Sequence, residues 1–279
     1  MRKPLIALLT VVFSSGAAYA DGGLFGNDCS HTSPRNASTS AAGVTRVIVH
    51  AQAGTLKIDG QTGDSSVAVR GTACSSDEDF VRSINFRMRK SGTDLIVETD
   101  IPERNSIEFG WFQARLDLAI LVPAGVKLVV RDGSGATSIA NVGPTEIEDG
   151  SGELQVRHVA GDLRIDDGSG AVTIDDVRGN VRLEDGSGGI DIRNVTGSVE
   201  VDDNSGGMDI QQIGGSVTVL DDSSGGITIR GVKQNVVIED DGSGGVDVKD
   251  VGGDFTVRRK GSGGVDYARV SGRVSVPRD

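Results

Sequence analysis

Aromatic side chains are scarce in this sequence, with one Trp, two Tyr and seven Phe among 279 residues. Aromatics carry much of the area buried in ordinary cores. A chain poor in them, with six prolines and 41 glycines, points away from a conventional globular interior and toward a repeat. Positive charge is also in short supply. Twenty-eight basic residues stand against 40 acidic ones, a formal charge of −12, which becomes more negative once Arg2 and Lys3 leave with a leader. Nucleic acid and anionic lipid surfaces need clustered Lys and Arg, so neither is an expected partner. Solubility, cations or basic partners remain compatible.

Beyond the N-terminus no run approaches 18 apolar residues, so no membrane span is expected in the mature chain. Residues 1–20 read as a cleaved signal peptide. Arg2 and Lys3 precede the apolar run Leu5 to Phe13, and Ala18-Tyr19-Ala20 supplies a small-x-small cleavage site, so that Asp21 begins the mature chain. No cysteine follows the cleavage site to take a lipid. The expected location is exported: periplasm, outer surface or extracellular.

Catalytic signatures are missing too. The histidines, His31, His50 and His158, fall in unrelated segments, and none is near a cysteine. There is no nucleophile elbow and no P-loop, and each glycine cluster precedes a strand pattern where a dinucleotide fingerprint needs a helix. The chain reads as non-catalytic, with no cofactor and no catalytic or metal residue to assign. Its two cysteines, Cys29 and Cys74, lack metal-type spacing, and in an oxidising compartment most simply form one disulfide. A free buried pair is the alternative.

What the chain has in abundance is a repeat. The tetrapeptide Asp132-Gly133-Ser134-Gly135 recurs at Asp149, Asp167, Asp185, Asp203, Asp222, Asp241 and, with lysine substituted, Lys260, at spacings of 17 to 19 residues. In the unit starting at Asp167, Val172 and Ile174 alternate with polar residues. Val177 and Gly179 follow, and Val181-Arg182-Leu183-Glu184 alternates again. Period two with β-branched residues means strand, and the glycine-rich tetrapeptide means turn.

Stacked, the units form five apolar columns. One runs Val142, Val159, Val177, Val195, Ile213, Val232, Val251 and Val270, and only Thr137 and Thr145 break the apolar rule in any column. A lone unit cannot bury these residues. A stack buries them all, at roughly 1.5–3 kcal/mol each. The expected fold is therefore all-β: a single-stranded parallel β-helix, or β-solenoid, of about eight regular rungs. The expected organisation is a signal peptide (1–20), a flexible Gly/Ser/Thr/Asn-rich arm (21–43) tied down at Cys29, an irregular β region capping the solenoid (44–131), and regular repeats (132–279). Arg258, Arg259, Lys260, Arg269, Arg273, Arg278 and Pro277 would guard the last rungs against edge pairing, or alternatively form a basic docking site.

Two features invite functional readings. The aspartate column, flanked by Glu148, Asp166, Glu184, Asp202, Asp221 and Asp240, needs something to offset its mutual repulsion. Asx-turn hydrogen bonds would serve, as would calcium. A calcium β-roll, however, repeats every nine residues with its apolar residue two places after the aspartate, and here Ile190 and Ile192 flank Asp191. The repeated serines (Ser134 to Ser262) read as turn hydrogen-bonders. Phe109, Trp111 and Phe112 form the one aromatic cluster, which would either cap the first rungs or stack a sugar.

The stretch Leu118 to Val130, with its Val122-Pro123-Ala124-Gly125 turn, followed by Asp-Gly-Ser-Gly-x-apolar-x-apolar units, resembles the bacterial putative-adhesin domain family over residues 44–276. That family comprises exported β-strand-repeat proteins of unknown function. The resemblance implies a cell-envelope or secreted adhesin or structural scaffold, with envelope proteins or surface glycans as candidate partners. A cation- or ligand-binding envelope-stress sensor is the alternative, and an enzyme acting on envelope polysaccharide the third reading.

Overall fold

The computed structural model describes residues 29–63, 65–103 and 112–277. The expected signal peptide, Phe109, Trp111 and Arg278 lie outside the described residues. The molecule is a β-solenoid built of two facing sheets of 12 strands each, and each regular rung gives one strand to either sheet. In the first rung Thr137–Val142 lies in one sheet and Thr145–Asp149 in the other. The next rung pairs onto it in parallel, Val156 beside Ile139 and Ile165 beside Ile147. The pattern repeats to the edge strands Val265–Val270 and Val274–Ser275.

All five columns are buried in the first seven rungs. The eighth rung, an open sheet edge, is only half covered, and Tyr267 there is 51% exposed.

The turns obey the same stacking. At the tetrapeptide's second glycine, Gly188 has φ +149° and an added Cβ would lie 1.5 Å from the Gly170 carbonyl oxygen, so no other residue fits. The serine acts through its main chain, its carbonyl accepting from a glycine N–H of the preceding rung, as in Gly188 N–H to Ser205 O at 2.9 Å. The opposite turn is clamped by side chains. The Asn180 N–H donates to Asp162 Oδ1 at 2.8 Å, Ser198 N–H to Asn180 Oδ1 at 2.9 Å, and Ser216 N–H to Ser198 Oγ at 3.1 Å. Within one sheet each rung bends at a left-handed residue, His158, Asp176, Asn194 and Gln212 among them, with φ between 55° and 59°. Polar side chains with local hydrogen-bonding reach favour that conformation.

Both sheets run on into the N-terminal region. Label β1 His31–Ser40, β2 Arg46–Ala53, β3 Leu56–Gln61, β4 Ser66–Ser75, β5 Asn85–Ser91, β6 Asp94–Asp100, β7 Ala114–Pro123 and β8 Lys127–Ser134. One sheet then ends β9–β3–β7–β4–β1 (β9 being Thr137–Val142), and the other β8–β2–β6–β5. The outermost pairings, β1–β4, β4–β7 and β5–β6, are antiparallel.

Here the structure corrects the sequence reading. Residues 31–40, expected within a flexible arm, form a ten-residue strand in continuous register with β4, His31 opposite Ser75 through Ser40 opposite Ser66. Main-chain bonding to an exposed edge needs no apolar side chains, which is why composition alone misses it. Arg35 locks the strand by donating from Nε to Ile84 O and from Nη2 to Val81 O, both at 2.9 Å, beside the short helix α1 (Phe80–Ser83). A disulfide joins Cys29 to Cys74, their Cα atoms 5.6 Å apart.

Candidate functional site

The aspartate column is the largest departure from expectation. Its side chains do not sit on turn surfaces. Asp132, Asp149, Asp167, Asp185, Asp203, Asp222 and Asp241 are all buried, at 0–5% exposure. Strand alternation explains it, because Val181, Leu183 and Asp185 share one face and the aspartate is simply the third inward residue. Partners in register stack them: Asp149 beside Asp167, Asp167 beside Asp185, Asp185 beside Asp203, Asp203 beside Asp222. Where the rung lengthens from 18 to 19 residues, the register shifts between Val201 and Asp203, and the extra residue is accommodated so that Asp222 still faces inward. Position in the interior is kept at the cost of ladder regularity.

Few donors reach these carboxylates. Thr137 Oγ1 donates to Asp132 Oδ2 at 2.6 Å. In the following rungs Leu154, Val172, Ile190 and Met208 stand in register with that threonine and offer nothing. Asx-turn bonds occur at Ser187 N–H to Asp185 Oδ1, 3.2 Å, and Ser205 N–H to Asp203 Oδ1, 3.0 Å. Both oxygens of Asp149, Asp167, Asp222 and Asp241 are buried without a hydrogen-bond partner. The serine and glycine N–H groups following Asp149 draw its pKa down from nearby without reaching hydrogen-bond geometry, while burial and then the charges of Asp132 and Asp167 push it up to about 6. Burial, then Asp167 and Asp203, push Asp185 up to about 7. Burial, then Asp203 and Asp241, push Asp222 up to about 6. Desolvation likewise raises Asp132, Asp167, Asp203 and Asp241.

The outer faces are flat and charged. On one, Lys127 pairs with Glu146 at 2.8 Å, Arg164 with Glu184 at 3.0 Å, and Arg182 with both Glu184 and Glu200. A shallow groove of about 590 Å³ runs along it. On the other face a furrow of about 470 Å³ is floored by Gly189, Gly207 and Gly226 and edged by Thr173, Asp191 and Asp209.

The other candidates are dispersed. His31 begins β1, His50 lies in β2, and His158 occupies a left-handed corner 3.9 Å from Asp176. Phe112 packs edge-on against Phe80 of α1, ring centroids 4.8 Å apart, as a cap would. The basic residues of the last rungs are mostly spoken for: Arg258 pairs with Glu239, Arg259 with Asp240 and Arg269 with Asp250. Among the described residues no three His, Cys, Asp or Glu side chains converge as a metal cluster, and no helix is long and apolar enough to cross a membrane.

A family model, Toastrack DUF4097, matches residues 35–278. The chain belongs to this family. Among solved structures similar to this Toastrack chain is a "putative lipid binding protein" from Parabacteroides distasonis, 15% identical with a TM-score of 0.45, covering 88% of this chain and 97% of that one. Another is a "putative adhesin" from Bacteroides fragilis, 10% identical with a TM-score of 0.43, covering 87% and 96%. A "putative adhesin" from Parabacteroides merdae is 14% identical with a TM-score of 0.36, covering 90% and 98%. No curated protein matches the sequence.

Proposed function

We propose that this Toastrack protein is an exported, non-catalytic module of the cell envelope that adheres through its flat solenoid faces. On this reading residues 132–279 form the regular presenting surface and 44–131 its N-terminal cap. The observation that carries the reading is the outer ion-pair ladder along Lys127, Glu146, Arg164, Arg182, Glu184 and Glu200, which repeats polar groups at rung spacing, about 4.8 Å. A periodic surface favours a periodic partner such as a surface glycan, because many weak contacts then engage together. In the regular repeats, strands connected by uniformly short turns leave these faces flat, whereas glycan-cleaving enzymes wall a groove around paired carboxylates.

The test is binding of labelled mature protein to intact cells and to purified envelope polysaccharides, beside the variant Arg164→Glu with Arg182→Glu. Binding that the double variant weakens at least tenfold supports the proposal. No binding to any polysaccharide or cell would overturn it, as would shortening of a glycan chain by the protein.

A further inference from the structure

The aspartate file poses a problem that the adhesive reading neither uses nor solves. Seven carboxyl groups lie one above another inside an otherwise apolar interior. Neighbours at rung spacing would repel by roughly 3 kcal/mol per pair at an effective dielectric near 20, and each carboxylate separately resists leaving water. Positive charge does not answer them. The charged groups flanking the file are the outward carboxylates Asp166, Asp202, Asp221 and Asp240, which add to the repulsion, and Lys260, which stands in register with Asp241 at the last rungs. Glu148 and Glu184 flank it in the same outward register and pair with Arg131 and Arg164. The remaining facing positions, Leu154 to Val246, are apolar, with Thr137 as the single hydroxyl.

The arrangement of unpartnered oxygens indicates what is missing. A carboxylate has only acceptors, so two stacked carboxylates cannot hydrogen-bond, whereas a carboxylic acid beside a carboxylate can. Asp167 and Asp185 stand in register on neighbouring rungs, with both oxygens of Asp167 and Oδ2 of Asp185 buried and unpartnered, so that a single proton on either would supply the missing donor between them. The three most elevated groups, Asp149, Asp185 and Asp222, fall on every second rung.

We propose that the file is a proton ladder: on alternate rungs a neutral carboxylic acid donates to the carboxylate of an adjacent rung, and the chain takes these protons from solvent as it folds. A proton held by the folded chain and absent from the unfolded one makes stability fall as pH rises. An unfolded aspartate titrates near pH 4, and the folded acids release their protons at about 6 and 7. Stability therefore declines from just above pH 4 to about pH 7 and levels off beyond. The unfolding constant should rise roughly tenfold per pH unit for each retained proton.

The experiment is denaturant unfolding of the mature protein from pH 5 to 8, beside the variant Asp149→Asn, Asp185→Asn, Asp222→Asn. The amide keeps the acid's shape and its donor, so the variant should unfold with a much flatter pH dependence and gain on wild type at pH 8. The carbonyl stretch of protonated carboxyls in the infrared spectrum of folded wild type at pH 5, lost by pH 8, reads the same ladder, and does so whether or not the variant folds. Stability unchanged or rising from pH 5 to 8, or no protonated-carboxyl band, would overturn the proposal. So would a rise in melting temperature at pH 5 in millimolar calcium beyond that in sodium chloride of equal ionic strength, because a metal and not protons would then fill the file.

Discussion

A single residue's role in this protein follows from which way its side chain points. Val195 is 1% exposed in the middle of a buried column, while Asp191, three positions before the left-handed corner residue, is half-exposed and paired with Arg193 at 2.6 Å. Val195→Asp places an unpaired charge in the stack and should disrupt several rungs together, with loss of at least 4 kcal/mol. Asp191→Asn gives up only an exposed ion pair and should stay within about 1 kcal/mol. Thermal denaturation of the two variants distinguishes them, and equal melting temperatures would refute the assignment of faces. The same alternation is legible in the sequence as far as Leu183, where the glycine-rich turn signal begins. Asp-Gly is a turn signal and points Asp185 toward a turn surface, whereas in the fold it continues the inward set by one more step. Period two outranks residue type here, and it carries the carboxylates into the interior.

Among elements, the regular strands were readable and the edge strands less so. The five apolar columns repeat in eight units, so their pairing is over-determined. β1, His-Thr-Ser-Pro-Arg-Asn-Ala-Ser-Thr-Ser, has no apolar stripe and takes its place through main-chain bonds to β4 and through Arg35. Its proline is tolerated because only one side of an edge strand is paired. The Cys29–Cys74 bond fastens the start of β1 to the end of β4 across a sequence separation of 45, which corresponds to about 4 kcal/mol in a chain-entropy description. Titration of unfolded, unreduced protein should find no free thiol. Cys74→Ser should free β1 first, seen as faster amide exchange over residues 31–40 with the regular rungs unchanged.

At the scale of the whole molecule, interior and exterior titrate in opposite senses. Outside, Asp94 is held low by Arg46, Asp247 by Lys249 and Arg230, and Asp250 by Arg269. Stability from these groups is present above the unfolded pKa near 4 and is lost as pH falls through their lower folded values. Inside, the raised aspartates act against stability from about pH 4 upward, and fully so above 7. The two trends meet, so the melting temperature should peak between about pH 4 and 5, and a peak at pH 7 or above would contradict the balance. Salt should blunt only the acid-side loss, since exposed pairs are screened and buried groups are not.

The solenoid's hydrogen bonds run from rung to rung, along the long axis, and the two ends are unlike. Antiparallel strands and a disulfide close one end, and at the other the outermost strand among the described residues is Val274–Ser275. A pull applied at Val274–Ser275 therefore loads one strand at a time, as in opening a zip, while the closed end holds. Each freed rung of about 18 residues pays out roughly 60 Å of chain. On the proposed adhesive reading, a load reaching this end of the stack would be met by lengthening in equal steps before the far end gave way, so that the rod would act as a shock absorber.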